Sequence, residues 1–210
     1  IIEMIQSRAF IKHLLTFENV LPSIMASESY DIAIQKLYFD PEIYDENTKK
    51  WMSSKPSYLE VHKAYRGDML YLEQDKMTGL VFISIEHLSP IFAKEFLALI
   101  IQEANWLKRK KDIDASNKAL NYLKKELAIT SLTGIKQSIN QLIEAQLEIQ
   151  MRAKLTDEYS LIQIEPPYIP ERRIKPNRAN ICILGTMLGG ILSVMIVLVR
   201  RSFFSKGLTG

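Results

Sequence analysis

SPIFAKEFLALIIQEANWLKRKKDIDASNKALNYLKKELAITSLTGIKQSINQLIEAQLEIQMRAKLT, Ser89 to Thr156, decides the fold. It opens on Ser89-Pro90, where the serine can cap a helix and the proline suits its first turn. Phe92, Phe96, Leu99, Ile100 and Leu107 then lie on one broad apolar face, wide enough to pack on a sheet. From Lys108 the composition turns charged. The apolar residues narrow to Ile113, Leu120 and Leu127, seven apart, with Ser116 and Leu123 between them. A seam of that width suits a helix touching one other helix. Ile113, Leu120, Leu123 and Leu127 are therefore candidate oligomer contacts. Thr130–Gly134, TSLTG, interrupts the helix, and a second one is expected over Ile135–Leu155 with Ile135, Ile139, Leu142 and Ile149 on one face.

Working outward, Leu80–Glu86 (LVFISIE) alternates β-branched and polar residues and reads as a strand. Glu158–Ile164 reads as another, expected to share a sheet with the first. The chain between them must leave the sheet and return, so 108–129 and 135–156, each about 22 residues or roughly 33 Å, form the arms of a helical hairpin. Upstream, Phe10, Leu14, Phe17 and Leu21 repeat at helical spacing within Ile2–Ala26. Tyr30–Phe39 fits a helix or a strand. Asp40–Pro56 is polar and reads as a loop, and Ser57–Leu72 as a helix.

Downstream, Glu165–Arg178 (EPPYIPERRIKPNR) carries Pro166, Pro167, Pro170 and Pro176. Each fixes φ and biases its predecessor toward extended backbone, giving a stiff connector. Ile181–Val199 (ICILGTMLGGILSVMIVLV) has no charge. Its 19 residues come close to the roughly 20 that cross a bilayer core, so a membrane span is expected there. Gly185, Gly189 and Gly190 supply small residues on that helix, a pattern that lets membrane helices approach closely. Basic residues flank both ends of the run, so charge counting leaves its orientation open.

Composition excludes several classes. The net charge is +3, and no basic block is interleaved with aromatics, so nucleic acid is not an expected partner. Cys182 is the single cysteine, which rules out an internal disulfide. His13, His62 and His87 are scattered, with no carboxylate or cysteine at ligand spacing, and phosphate-loop, dinucleotide and nucleophile-elbow motifs are lacking. Catalytic residues, cofactor and metal are therefore all expected to be none. The basic run Lys108–Lys111 reads as a solvated helix face. The chain opens on Ile1 rather than Met, so a preceding segment is expected.

Five segments in order resemble the Wzz family of polysaccharide chain-length determinants, or co-polymerases. They are SRAFIKHLL, KKWMSSKPSYLEVHKAYR, GLVFISIEHLSPIFAKEF, LIEAQLEIQMRAKLTDEY and the proline segment leading into the glycine-bearing run. The family's first membrane helix and first strands are not in this chain. The resemblance implies two membrane helices, cytoplasmic termini and a periplasmic domain. It also implies a homo-oligomer closed into a ring, which sets the modal length of a glycan made by a separate multispan polymerase. The nascent lipid-linked glycan is a further candidate partner. Only eleven residues follow the apolar run, without tyrosine or a Walker motif, which favours the O-antigen type.

The whole predicts an α+β fold: a membrane-proximal α/β base with a projecting long helical hairpin, followed by a C-terminal transmembrane helix. Residues 1–165 would be the periplasmic base with its extended helices, 89–156 the hairpin, and 166–178 the connector. Residues 181–199 would span the bacterial inner membrane, and 200–210 would form a short cytoplasmic tail. The expected function is regulation of the chain length of a surface polysaccharide. A competing class is a membrane-tethered periplasmic scaffold or adaptor for capsule or exopolysaccharide export. A membrane-anchored hydrolase is a third, weakened by the missing catalytic constellation.

Overall fold

The structure, a computed structural model, describes residues 1–156, 158–171 and 178–205. The chain divides into two compact units, Ile1–Ile169 and Pro170–Gly210. The first unit begins with three short helices, α1 (Ile2–Ile5), α2 (Arg8–Leu14) and α3 (Val20–Met25), where one was expected. Local chemistry explains the breaks. Ser7 stops α1 and caps α2 by accepting from the Phe10 amide, and Asn19 takes a left-handed φ of 67° just before α3.

Tyr30–Phe39 resolves as a hairpin of β1 (Ser27–Asp31) and β2 (Lys36–Phe39). The Asp31 carboxylate accepts from the amides of Ala33 and Ile34 in its turn. A two-residue pair, β3 (Tyr44–Asp45) with β4 (Lys50–Trp51), punctuates the expected loop. Ser57–Leu72 is helical only in part. A capping box between Ser57 and Glu60 starts α4 (Tyr58–Ala64), and a π-helical turn, Tyr65–Met69, hands the chain to β5 (Leu70–Gln74). β5 pairs antiparallel with β6 (Val81–Ile85), Leu70 opposite Ile85.

Two long helices follow, α5 (Pro90–Ile129) and α6 (Thr133–Leu155). They pack against each other, with the Ser116 hydroxyl bonded to the Gln146 carbonyl and the Gln150 amide to the Asn117 side chain. The core joins α1, α2, α3, α4 and the first part of α5: Ile5, Phe10, Ile11, Leu14, Val61, Tyr65, Phe96 and Ile100 lie at its centre. The broad apolar face of α5 packs on β6 of the β5–β6 pair and on α1 and α2.

The expected fold class is overturned in two respects. The chain is mostly helical, and its described strands form three separate two-stranded antiparallel pairs rather than one sheet in an α/β base. The expected strand at Glu158–Ile164 is not formed, because a side chain of α5 takes the place of a neighbouring strand. The transmembrane helix is overturned as well: among the described residues no helix is long and apolar enough to cross a membrane. The residues in question belong to α7 (Arg178–Ser205), in the second unit. Gly185, Thr186, Gly189, Gly190 and Ser193 stand within it, and both hydroxyls bond backbone carbonyls of their own helix. The inner-membrane and transmembrane descriptions that rested on that span are withdrawn with it.

Candidate functional site

The densest set of buried polar contacts lies where α5 leaves the core and α6 returns to it. Asn105, 6% exposed, is central. Its Oδ1 accepts from the amides of Ser160 (2.9 Å) and Leu161 (2.7 Å), and its Nδ2 donates to the Leu161 carbonyl at 3.0 Å. A primary amide carries the donor and acceptor of a peptide group, so Asn105 satisfies the returning segment as a strand would.

One turn further along α5, Lys108 Nζ lies 2.6 Å from both oxygens of Asp112, and the Tyr159 hydroxyl donates to Asp112 at 2.8 Å. Partial burial acts to raise the Asp112 pKa, but the bonds from Lys108 and Tyr159 outweigh it, and the carboxyl is held below the ordinary range. Burial pushes Tyr159 upward, reinforced by its bond to that carboxylate. Arg109 donates to the Thr156 carbonyl at the end of α6. On the core side, Glu103 meets His13 of α2 at 2.6 Å, and the His13 ring stacks on Trp106, with Lys110 over the indole. These groups are engaged with one another. Such an arrangement fixes the angle at which α5 and α6 leave the core; it presents no unengaged nucleophile beside a base. Among the described residues, no three His, Cys, Asp or Glu side chains could together hold a metal ion.

No family model matches this chain, and no curated protein matches it.

The residues singled out from the sequence are dispersed. Leu120 is buried, and Ile113, Leu123 and Leu127 are half-buried, on the side of α5 that carries Ser116. Since Ser116 bonds α6, this seam faces α6 of the same chain. On α6 the seam runs through Ile139, Ile143, Gln146, Gln150 and Ala153, while Ile135 and Leu142 are exposed. Pro166 and Pro170 are exposed and Pro167 is half-buried, all in irregular backbone; Pro176 lies outside the described residues. Gly185, Gly189 and Gly190 sit in α7, and among the described residues no atom lies within 4 Å of where a Cβ would stand. Asn105 is the residue that sequence reasoning missed. Its signal was a polar side chain beside Ala104 on the apolar part of α5, where only a satisfied polar group survives burial.

His87 forms a second buried polar node. Its Nδ1 accepts from the Ser89 amide at 3.0 Å, which leaves Nε2 to donate to the Ser23 carbonyl at 2.7 Å. The ring packs on Phe92. Burial depresses its pKa below the usual 6.5. The unfolded chain therefore takes up a proton first as pH falls, and stability is lost from about pH 6.5 downward until the folded ring also protonates. Thermal melts between pH 8 and 5 should show Tm falling in that window, with a shallower fall in His87→Gln. Equal slopes for the two proteins would contradict the assignment.

Proposed function

We propose that this chain regulates the modal length of a bacterial surface polysaccharide of the O-antigen type. It acts as a non-enzymatic homo-oligomer beside a separate multispan polymerase, with the nascent lipid-linked glycan as a further partner and its main domain in the periplasm. The observation that carries the reading is the helical arm. α5 continues without a break from the core into a second half that α6 accompanies. A two-helix arm cannot bury apolar side chains on its outer sides, yet Tyr122, Leu142, Leu147 and Met151 are exposed there. Outward apolar groups on a stiff arm suit a protein that works by contact with copies of itself and with partners. The ordered resemblance to chain-length determinants supplies the class of partner.

Surface polysaccharide from a strain lacking the gene, resolved by electrophoresis, tests the proposal. The expected pattern is a ladder without its modal cluster, restored when the gene is supplied in trans. An unchanged modal cluster would overturn it. Loss of surface polysaccharide of every length would point to the export adaptor instead.

A further inference from the structure

The node at His87 stands where three parts of the fold meet: the end of β6, the passage from α3 into β1, and the N-terminus of α5. Its hydrogen bonds fix the tautomer. The Ser89 amide can only donate, so Nδ1, at 3.0 Å, is the unprotonated nitrogen. Nε2 then carries the proton and offers it to the Ser23 carbonyl at 2.7 Å, with the Ser27 hydroxyl at 3.3 Å. The same assignment rules the ring out as a base for Ser27, whose hydroxyl donates to the Ser23 carbonyl at 2.6 Å.

Ser89 is the N-cap of α5. Its side chain accepts from the Phe92 amide, its carbonyl accepts from the Ala93 amide, and Pro90 after it has no amide to offer. Ser89 is 3% exposed, so its own amide is shielded from water and depends on the ring. The charged groups around the node do not engage the ring. Glu86 beside it and Asp40, whose amide bonds the Ala26 carbonyl, are half-buried, while Glu28, Lys94 and Glu95 are exposed. Burial and the bonds with Ser23 and Ser89 are what act on the imidazole.

We propose that His87 is an acid-operated release for the N-terminus of α5. A proton taken up from solvent binds at Nδ1, the one ring nitrogen with a free lone pair. Two donors then face each other between His87 and Ser89, and that bond breaks. Nε2 keeps its proton and its hold on Ser23, so the ring stays with α3 while the α5 cap loses its partner. The Ser89 amide must then reach water, which moves the cap and loosens the first turn of α5. The event is local, because Ile100 and Ala104 further along the helix are held by the core rather than by the cap. The device is independent of the polysaccharide reading, and it makes the root of the arm answer to the pH of its surroundings.

Hydrogen exchange resolved to single amides, on the full chain between about pH 8 and 5, tests it. Rates are corrected for the intrinsic pH dependence of exchange. Protection at Ser89 and Phe92 should fall by about tenfold or more in one step below pH 6.5, while Val61 and Ile100 keep theirs. His87→Asn is the control. An asparagine oxygen accepts from an amide two residues on, as Nδ1 does here, but does not titrate. The Ser23 carbonyl keeps the Ser27 donor in that variant. The step should vanish there. In the unaltered chain, 15N spectra of labelled histidine should show Nδ1 gaining a proton over the same range while Nε2 keeps its own throughout. A flat profile overturns the proposal, and so does a step that survives in His87→Asn. Protection lost in parallel at Val61 and Ile100, or a proton already on Nδ1 at the alkaline end, overturns it as well.

Discussion

Phe96→Ala should lower the unfolding free energy by about 3–5 kcal/mol, the usual cost of emptying a large aromatic site in a core. Phe96 is 2% exposed. Its ring stacks on Phe92 at 5.2 Å and meets the edge of Tyr65 at 6.0 Å, so it joins the start of α5 to the π-helical turn after α4. Tyr65 has little freedom to collapse into the space, because it is fully buried and its hydroxyl bonds the Ile5 carbonyl. Burial also drives the Tyr65 pKa upward, so the phenol stays neutral and remains a donor. Urea titration should show the midpoint falling with the slope unchanged. Phe92→Ala, at a half-buried position, should cost clearly less. Equal losses at the two sites would mean that Phe96 is not the keystone of this core.

Asn105→Ala carries the second large effect. It strips two amides and one carbonyl of their partner at once, and a loss of about 1–3 kcal/mol follows for polar groups left unsatisfied where they are shielded from water. The damage should also be local. Hydrogen exchange at Leu161 and Ser160 should accelerate strongly while the amides of α4 stay protected. Asn105→Asp is the sharper control. It keeps the acceptors for both amides but turns the donor toward Leu161 into another acceptor, so it too should free the segment. Unaltered exchange at Leu161 in both variants would show that the returning segment is held by something other than this amide.

Local signals in the sequence were read more securely than their partners in space. Ser89-Pro90 marks the start of α5, and the Ser89 hydroxyl does accept from the Phe92 amide. The alternation in Leu80–Glu86 corresponds to β6. Yet Glu158–Ile164, also read as a strand, forms none, because apolar composition does not state what supplies a segment's hydrogen bonds. The seam on α5 has the same ambiguity. A heptad of apolar residues states that one helix lies alongside, and only the register set by Ser116 and Gln146 shows that this helix is α6 of the same chain. For α7, uncharged length predicted a span, but among the described residues no helix is long and apolar enough to cross a membrane. Asn105 gave only a weak signal, because a single buried amide on a helix has no periodicity to mark it.

α5 belongs to the core and to the arm without a joint between them. It therefore behaves as a lever whose fulcrum is the node at Asn105 and Asp112. From Asn105 to Ile129 the outer length is about 36 Å at 1.5 Å per residue, so a tilt of roughly 5° at the root carries the tip through about 3 Å. A methylene gained or lost beneath Phe96 or Ile100 can turn a helix by that much, while the residues of the tip stay unchanged. Variation among core side chains is thus magnified at the far end, and the position of the tip can be retuned from inside the protein.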